Sequence, residues 1–198
     1  MASTFFAGIT LLFWMIIFFV FMALIALIVC YNLTTKNKNS VIRSWADVIA
    51  YERRKNNVLP KIEIIAKEYQ QYERDLQTKI TQLRASLYNI KPEELNNKVL
   101  KEVEDNTSSL IKGIRVAIEN YPDITSSGLM QSLMHQISKQ QENVAAAIAV
   151  FNKNVEEFNN GIQTFPGHMV NNYLNKQKKI EPFSDRKALD AFEYKLYL

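Results

Sequence analysis

The stretch MHQISKQQENVAAAIAVFNKNVEEFNNGIQTF, residues 134–165, decides the fold. In it Met134, Ile137, Gln141, Val144, Ile148, Phe151, Val155, Phe158, Ile162 and Phe165 recur at alternating steps of three and four. Such spacing keeps every member on one side of a long helix, as a seam facing a partner. Only Gln141 breaks its apolar character. Phe151, Phe158 and Phe165 lie a heptad apart and read as packing residues, since each aromatic can bury about 150–250 Å². Asn152 and Asn159 flank the seam, where an amide can bond the rim of a neighbouring helix and fix register. Pro166 and Gly167 then end or bend the helix.

Upstream, Val41, Trp45, Val48, Leu59, Ile62, Ile65, Tyr69, Tyr72, Leu76, Ile80, Leu83 and Leu87 follow the same periodicity. They predict one buried helical face with a cap at Ser40 or Asn39. Pro60 lacks a backbone donor, so a kink or break is expected near Asn57 to Pro60. The next helix is expected to start at Pro92, with Glu93 and Glu94 on its positive end. Its stripe is Leu95, Val99, Val103, Leu110, Ile114, Ala117 and Ile118. Pro122, within ENYPDITSSG, stops it, and Ser126 or Ser127 caps the following helix. After a short mixed segment from Met169 to Lys179, SDRKALDAFEYKLYL could form a terminal amphipathic helix. Five Gly and five Pro among 198 residues also point to long helices.

The N-terminal region differs in kind. Residues 1–35 contain no Asp, Glu, Lys or Arg, and residues 5–30 read FFAGITLLFWMIIFFVFMALIALIVC. As a helix this run covers about 39 Å, enough to cross a hydrocarbon core about 30 Å thick with tilt. A cleaved signal would need a basic start, which Met-Ala-Ser-Thr does not supply. Cys30 follows Leu-Ile-Val, without the small residue that precedes a lipoprotein cysteine, and reads as a buried apolar thiol at the membrane edge, with palmitoylation as the other reading. Lys36, Lys38, Arg43, Arg53, Arg54 and Lys55 all follow the run, so the positive-inside rule puts the C-terminal part in the cytoplasm. Short connections favour antiparallel neighbours. The expected architecture is all-α: a single N-terminal transmembrane helix, then an up-and-down four-helix bundle. Its divisions are residues 1–30 for the short N-terminus and membrane helix, 31–180 for the bundle, and 181–198 for a tail.

Chemistry is sparse in the sequence. His135 and His168 are far apart, and no HExxH, CxxC, Walker loop, nucleophile elbow or dinucleotide fingerprint occurs. One cysteine forms no intramolecular disulfide. The net charge of +4 lacks the patterning of nucleic-acid binding. Arg53-Arg54-Lys55 and Lys176, Lys178 and Lys179 read as solvated helix surface beside Glu52 and Glu181, with acidic head groups as the other reading. No catalytic, cofactor-binding or metal residue is therefore expected, nor is a nucleic acid or small-molecule substrate.

The segments together resemble the LemA family of bacterial membrane proteins. The residues carrying the likeness are Tyr31-Asn32, Trp45-Ala46-Asp47-Val48, Arg53-Arg54, Val58-Leu59-Pro60 and the run Glu119 to Ile124. Further on come Glu142-Asn143-Val144, Phe151-Asn152, Val155, Phe158-Asn159 and Phe165-Pro166. The likeness spans about Tyr31 to Asn172, with Lys61, Thr125, Phe151 and Phe158 departing from the usual family residues. The resemblance implies a short outer N-terminus, one helix in the bacterial inner membrane and a cytosolic four-helix bundle. It implies no catalytic residue. The expected function is a scaffold or adaptor for unidentified protein partners, self-association included, held in the bilayer through residues 5–30. A membrane-organising structural role, similar to that of magnetosome relatives, is the alternative expectation.

Overall fold

The computed structural model describes residues 2–68, 70–120 and 128–184, and these contain no strand. Helix α1 runs from Ala2 to Arg54, followed by a 3-10 turn at Lys55–Asn57. Then come α2 (Leu59–Glu68), α3 (Gln70–Asn89), α4 (Asn97–Asn120) and α5 (Leu129–Gln163). A single helical turn at Gly167–Val170, a π turn at Asn171–Asn175 and an extended segment complete the described chain. The protein is all-α. Tyr69, the Tyr72 side chain, Pro122, the Ser126 and Ser127 caps and the tail helix fall outside the described residues.

The contacts divide the chain into two compact units. One combines the chain up to Val41 with Asn154–Glu181, and the other combines Ile42–Lys153 with the chain from Pro182 onward. In the first unit α1 is apolar enough, by length and composition, to cross a membrane. Its large apolar side chains from Leu11 to Val29 are exposed. No cap interrupts α1 at Asn39 or Ser40. Instead Thr34, Thr35 and Ser40 each donate a hydroxyl hydrogen bond to the carbonyl four residues back, so the polar stretch stays helical.

α5 lies antiparallel to α1 in this unit. The Asn154 amide donates to the Ser40 carbonyl at 3.4 Å, and the Asn37 amide donates to the Glu157 carbonyl at 3.4 Å. Val155, Phe158, Ile162 and Val170 are buried here. Phe165, expected as the last rung of the seam, is 81% exposed because α5 ends two residues earlier. The turn that follows folds tightly back. A Cβ on Gly167 would sit 2.0 Å from the Gly161 carbonyl oxygen, so only glycine fits.

The second unit holds the main core. Leu59, Ile62 and Ile65 of α2 meet Leu76, Ile80, Leu83 and Leu87 of α3. Val103, Leu110 and Ile114 of α4, with Met130, Leu133 and Ile137 of α5, close the same cluster. The break expected near Asn57 to Pro60 is present: the 3-10 turn at Lys55–Asn57 separates α1 from α2, and Pro60 is the second residue of α2. The chain reverses later, between α2 and α3. Glu63 accepts a 3.2 Å ion-paired bond from Arg84, whereas 21 residues of unbroken helix would hold them about 31 Å apart. One sequence expectation needs correction here: α4 starts at Asn97 and not Pro92. The Asn96 side chain accepts from the Lys98 and Val99 amides, a better cap than the charges at Glu93 and Glu94 provide. Leu95 is consequently exposed, and Leu100 takes a core place.

Candidate functional site

Polar chemistry in the second unit concentrates where α1 gives way to the 3-10 turn. Glu52, one turn before Lys55, and Lys55 itself point inward, and both side chains are wholly buried. The ammonium lies 2.6 Å from Glu52 Oε2 and donates to Gln141 Oε1 at 2.6 Å and to Thr107 Oγ1 at 3.1 Å. Two hydrogen-bond acceptors and one ion-paired carboxylate oxygen thus surround the ammonium. Thr107 donates its own hydroxyl hydrogen bond to the Val103 carbonyl, and the Gln141 amide reaches Glu104 Oε1 at 3.5 Å.

Gln141 is the one polar position in the α5 seam, and the buried lysine explains it. Lys55 had read as part of a solvated basic run. Its neighbours do behave as surface residues: Arg53 donates to the Ile90 carbonyl at 3.0 Å, and Arg54 stacks 4.5 Å over the Tyr51 ring. Lys55 sits at a different angle around the same turn, and Glu52 three residues back is its sequence signal.

Burial pushes the Glu52 carboxyl above the usual carboxylate value, with Lys55 partly offsetting it. Burial likewise pulls Lys55 below the usual lysine value, and Glu52 opposes that shift. Apart from the ion pair that Oε2 makes with Lys55, neither Glu52 carboxylate oxygen has a hydrogen-bond partner among the described residues. Being enclosed, the pair presents no reactive atom to solvent. What it does is fix how α1, α4 and α5 meet, because a shift of any one would strand a charge.

A second feature lies on the outside of this unit. An open groove of about 410 Å³ runs between α1 and α5, lined by Ser44, Asp47, Tyr51, Arg54, Asn143 and Val150 along with small alanines. Ala50, Ala146 and Ala147 keep the two helices' facing surfaces low, while Val150 is exposed at the edge. Asp47 and Arg54 place opposite charges along it. Trp45, buried on α1 and not part of the lining, stacks 5.3 Å from Phe151 and donates to the Lys91 carbonyl at 3.3 Å. Such a surface suits an apolar side chain or a helix edge with polar groups at its margins.

The paired asparagines act on backbone and not on a helix rim. Asn152 donates to the Phe183 carbonyl at 2.8 Å and accepts from the Phe183 amide at 2.8 Å. Asn159 does the same to Ile180, at 2.8 and 3.0 Å, and Asn171 the same to Gln177, at 3.0 and 2.9 Å. Each carboxamide imitates a peptide group and holds one residue of the extended segment at both ends. Clamped residues fall every third position. The sequence showed the asparagines but not their partner, which lies beyond the helix they occupy. Asn159→Leu is expected to cost about 1–3 kcal/mol, from leaving the Ile180 amide and carbonyl unpaired. Hydrogen exchange should speed at Ile180 first, and an unchanged rate there would contradict the clamp.

Among the described residues no group of three or more His, Cys, Asp or Glu is placed to hold a metal ion. His168 is exposed beside Asn172, and Cys30 is a partly buried free thiol.

The model of the LemA family matches residues 44–188, most of the chain. The protein LemA of Metamycoplasma hominis is 29% identical over 134 residues, covering 68% of this chain. The chain spans about 60% of that relative's own length.

Proposed function

This chain belongs to the LemA family, and on that footing we propose that it is a membrane-anchored helical adaptor without catalytic activity. The bundle works at the cytoplasmic face of a bacterial inner membrane and binds a protein partner through the α1–α5 groove. The observation carrying the reading is the make-up of α1. One unbroken helix supplies both an exposed apolar run and, from Val41 to Ile49, a core face. A long apolar surface open along its length suits lipid and not water. The groove then offers the shape and the mixed polarity that a partner helix requires. Lys36, Lys38 and Arg43, following the apolar run, support the cytoplasmic placement.

Two readouts on the same cells test the proposal. A photo-crosslinking residue at Val150 should give an adduct of one discrete mass, and the same residue at Val116, exposed on α4, should not. Ala147→Arg, which fills the groove, should abolish the adduct. Recovery of monomer alone from Val150 would overturn the adaptor role. Protease added outside spheroplasts should spare the bundle, and digestion without permeabilisation would reverse the orientation.

A further inference from the structure

Within the first unit, the turn after α5 exposes an unusual set of side chains. Phe165, Met169, Tyr173 and Leu174 are between 51% and 81% exposed, though Gly167 and Val170 between them are buried. Lys176, Lys178 and Lys179 follow directly and are exposed too. The sequence suggested a solvated basic run here, but it did not show large apolar groups gathered beside it.

The register of α1 and α5 gives the height of this turn. Ser40 is level with Asn154 and Asn37 with Glu157, in antiparallel helices. Both advance about 1.5 Å per residue, so Phe165 falls near the level of Val29. Val29 is the last large apolar residue before Cys30, with exposed Tyr31 and Leu33 just beyond, ahead of the first charge at Lys36. Lys38 also donates to the Gln177 side chain at 2.8 Å, so the basic segment lies beside the first charged turns of α1. Phe165 therefore stands where the apolar stretch of α1 ends, and exposed Met169, Tyr173 and Leu174 follow it in the chain, with a cluster of cations directly after them.

We propose that this turn, residues 165–179, is a second membrane contact that dips into the head-group region of an anionic bilayer. Phe165, Met169, Tyr173 and Leu174 enter the interface, while Lys176, Lys178 and Lys179 meet lipid phosphate. Aromatic and long apolar groups favour that layer, where one end can be dry and the other wet. Near-surface lysines favour anionic lipid by roughly fivefold each in partitioning. The inference rests on α1 being membrane-inserted. It adds that the end of α5 is held against the bilayer and does not stand free of it.

Full-length chain with Cys30→Ser, carrying a single environment-sensitive fluorophore, can be reconstituted in vesicles to test this. Labels go at Leu12→Cys in the apolar run, at Met169→Cys in the turn and at Glu156→Cys two turns back along α5. Vesicles are phosphatidylcholine with or without phosphatidylglycerol, and spin-labelled lipids quench at shallow or deep positions. Deep quenching is expected at position 12, shallow quenching at 169 and none at 156. Quenching at 169 should rise with phosphatidylglycerol, and K176Q, K178Q and K179Q together should remove that rise. Deep quenching at 12 with none at 169 would overturn the second contact and leave the anchor standing. No quenching at 12 would overturn both. Quenching at 169 that ignores phosphatidylglycerol would overturn the role assigned to the lysines.

Discussion

Phe158→Ala should lower the unfolding free energy by about 3–5 kcal/mol, the usual cost of emptying a buried aromatic site. Phe165→Ala, one heptad further along the same apparent repeat, should change it by less than about 0.5 kcal/mol. The contrast follows from burial. The Phe158 ring is 1% exposed in a unit where Val155, Ile162 and Val170 are also buried, so its removal leaves a void that the helix backbone cannot close. The Phe165 ring stands beyond the end of α5 and is 81% exposed. Urea titration of the full chain in one mild detergent, followed by far-UV circular dichroism, measures both. Equal losses would show that the repeat packs through Phe165. A negligible loss at Phe158 would show that the site collapses without strain.

The same pair shows what periodicity can and cannot say. Helical spacing identifies the face of a residue but not whether the partner helix is still opposite. From Ile137 to Ile162 that partner continues, and Val144, Phe151, Val155 and Phe158 are buried as the spacing predicts. At Phe165 it does not. The first long pattern failed in a related way. Val41 through Leu87 kept its three- and four-residue steps across a chain reversal, because both arms of an antiparallel pair face one core. No glycine or proline occurs between Lys61 and Ile90, so the residues that usually mark such a reversal were missing. The break before Pro60 is where the spacing and the proline placed it, but it does not reverse the chain, since proline is well tolerated in the first turn of a helix.

The candidate site was less legible than the fold. Lys55 stands in a row of three cations, and composition cannot separate the buried one from two at the surface. Gln141 was visible as the only polar seam residue, yet its role depends on a lysine 86 positions earlier. The three clamping asparagines hold an extended segment, whose backbone groups carry no sequence signature. Long-range polar partners of this kind are specified by tertiary position, and local spacing does not encode them.

Lys55→Met and Glu52→Leu, made singly, should each cost about 3–5 kcal/mol, because each leaves the opposite charge buried without its counterion. Made together they should cost less than either alone, and could reach net stabilisation by about 1–4 kcal/mol, since apolar side chains of similar volume avoid desolvating two ions. The expected pattern is strong coupling in a double-mutant cycle. Additive costs would mean the two charges do not depend on one another.

The pH dependence of Lys55→Met gives a separate check. Glu52 already lies above its ordinary value of 4.5 through burial, and Lys55 is the influence lowering it. Without the lysine, the native state holds the Glu52 proton still more strongly than the unfolded chain does. The native state then binds more protons than the unfolded state from 4.5 up to the raised value. Stability of the variant should be greatest in acid and be lost as pH rises through that window. A profile parallel to the unsubstituted protein's would mean water reaches the carboxylate and the site is not closed. Tyr51 and Arg54, adjacent to Glu52 and Lys55 on the same turns, line the groove. The variant that loosens the pair at neutral pH should therefore also weaken crosslinking from Val150, and acidification should restore it.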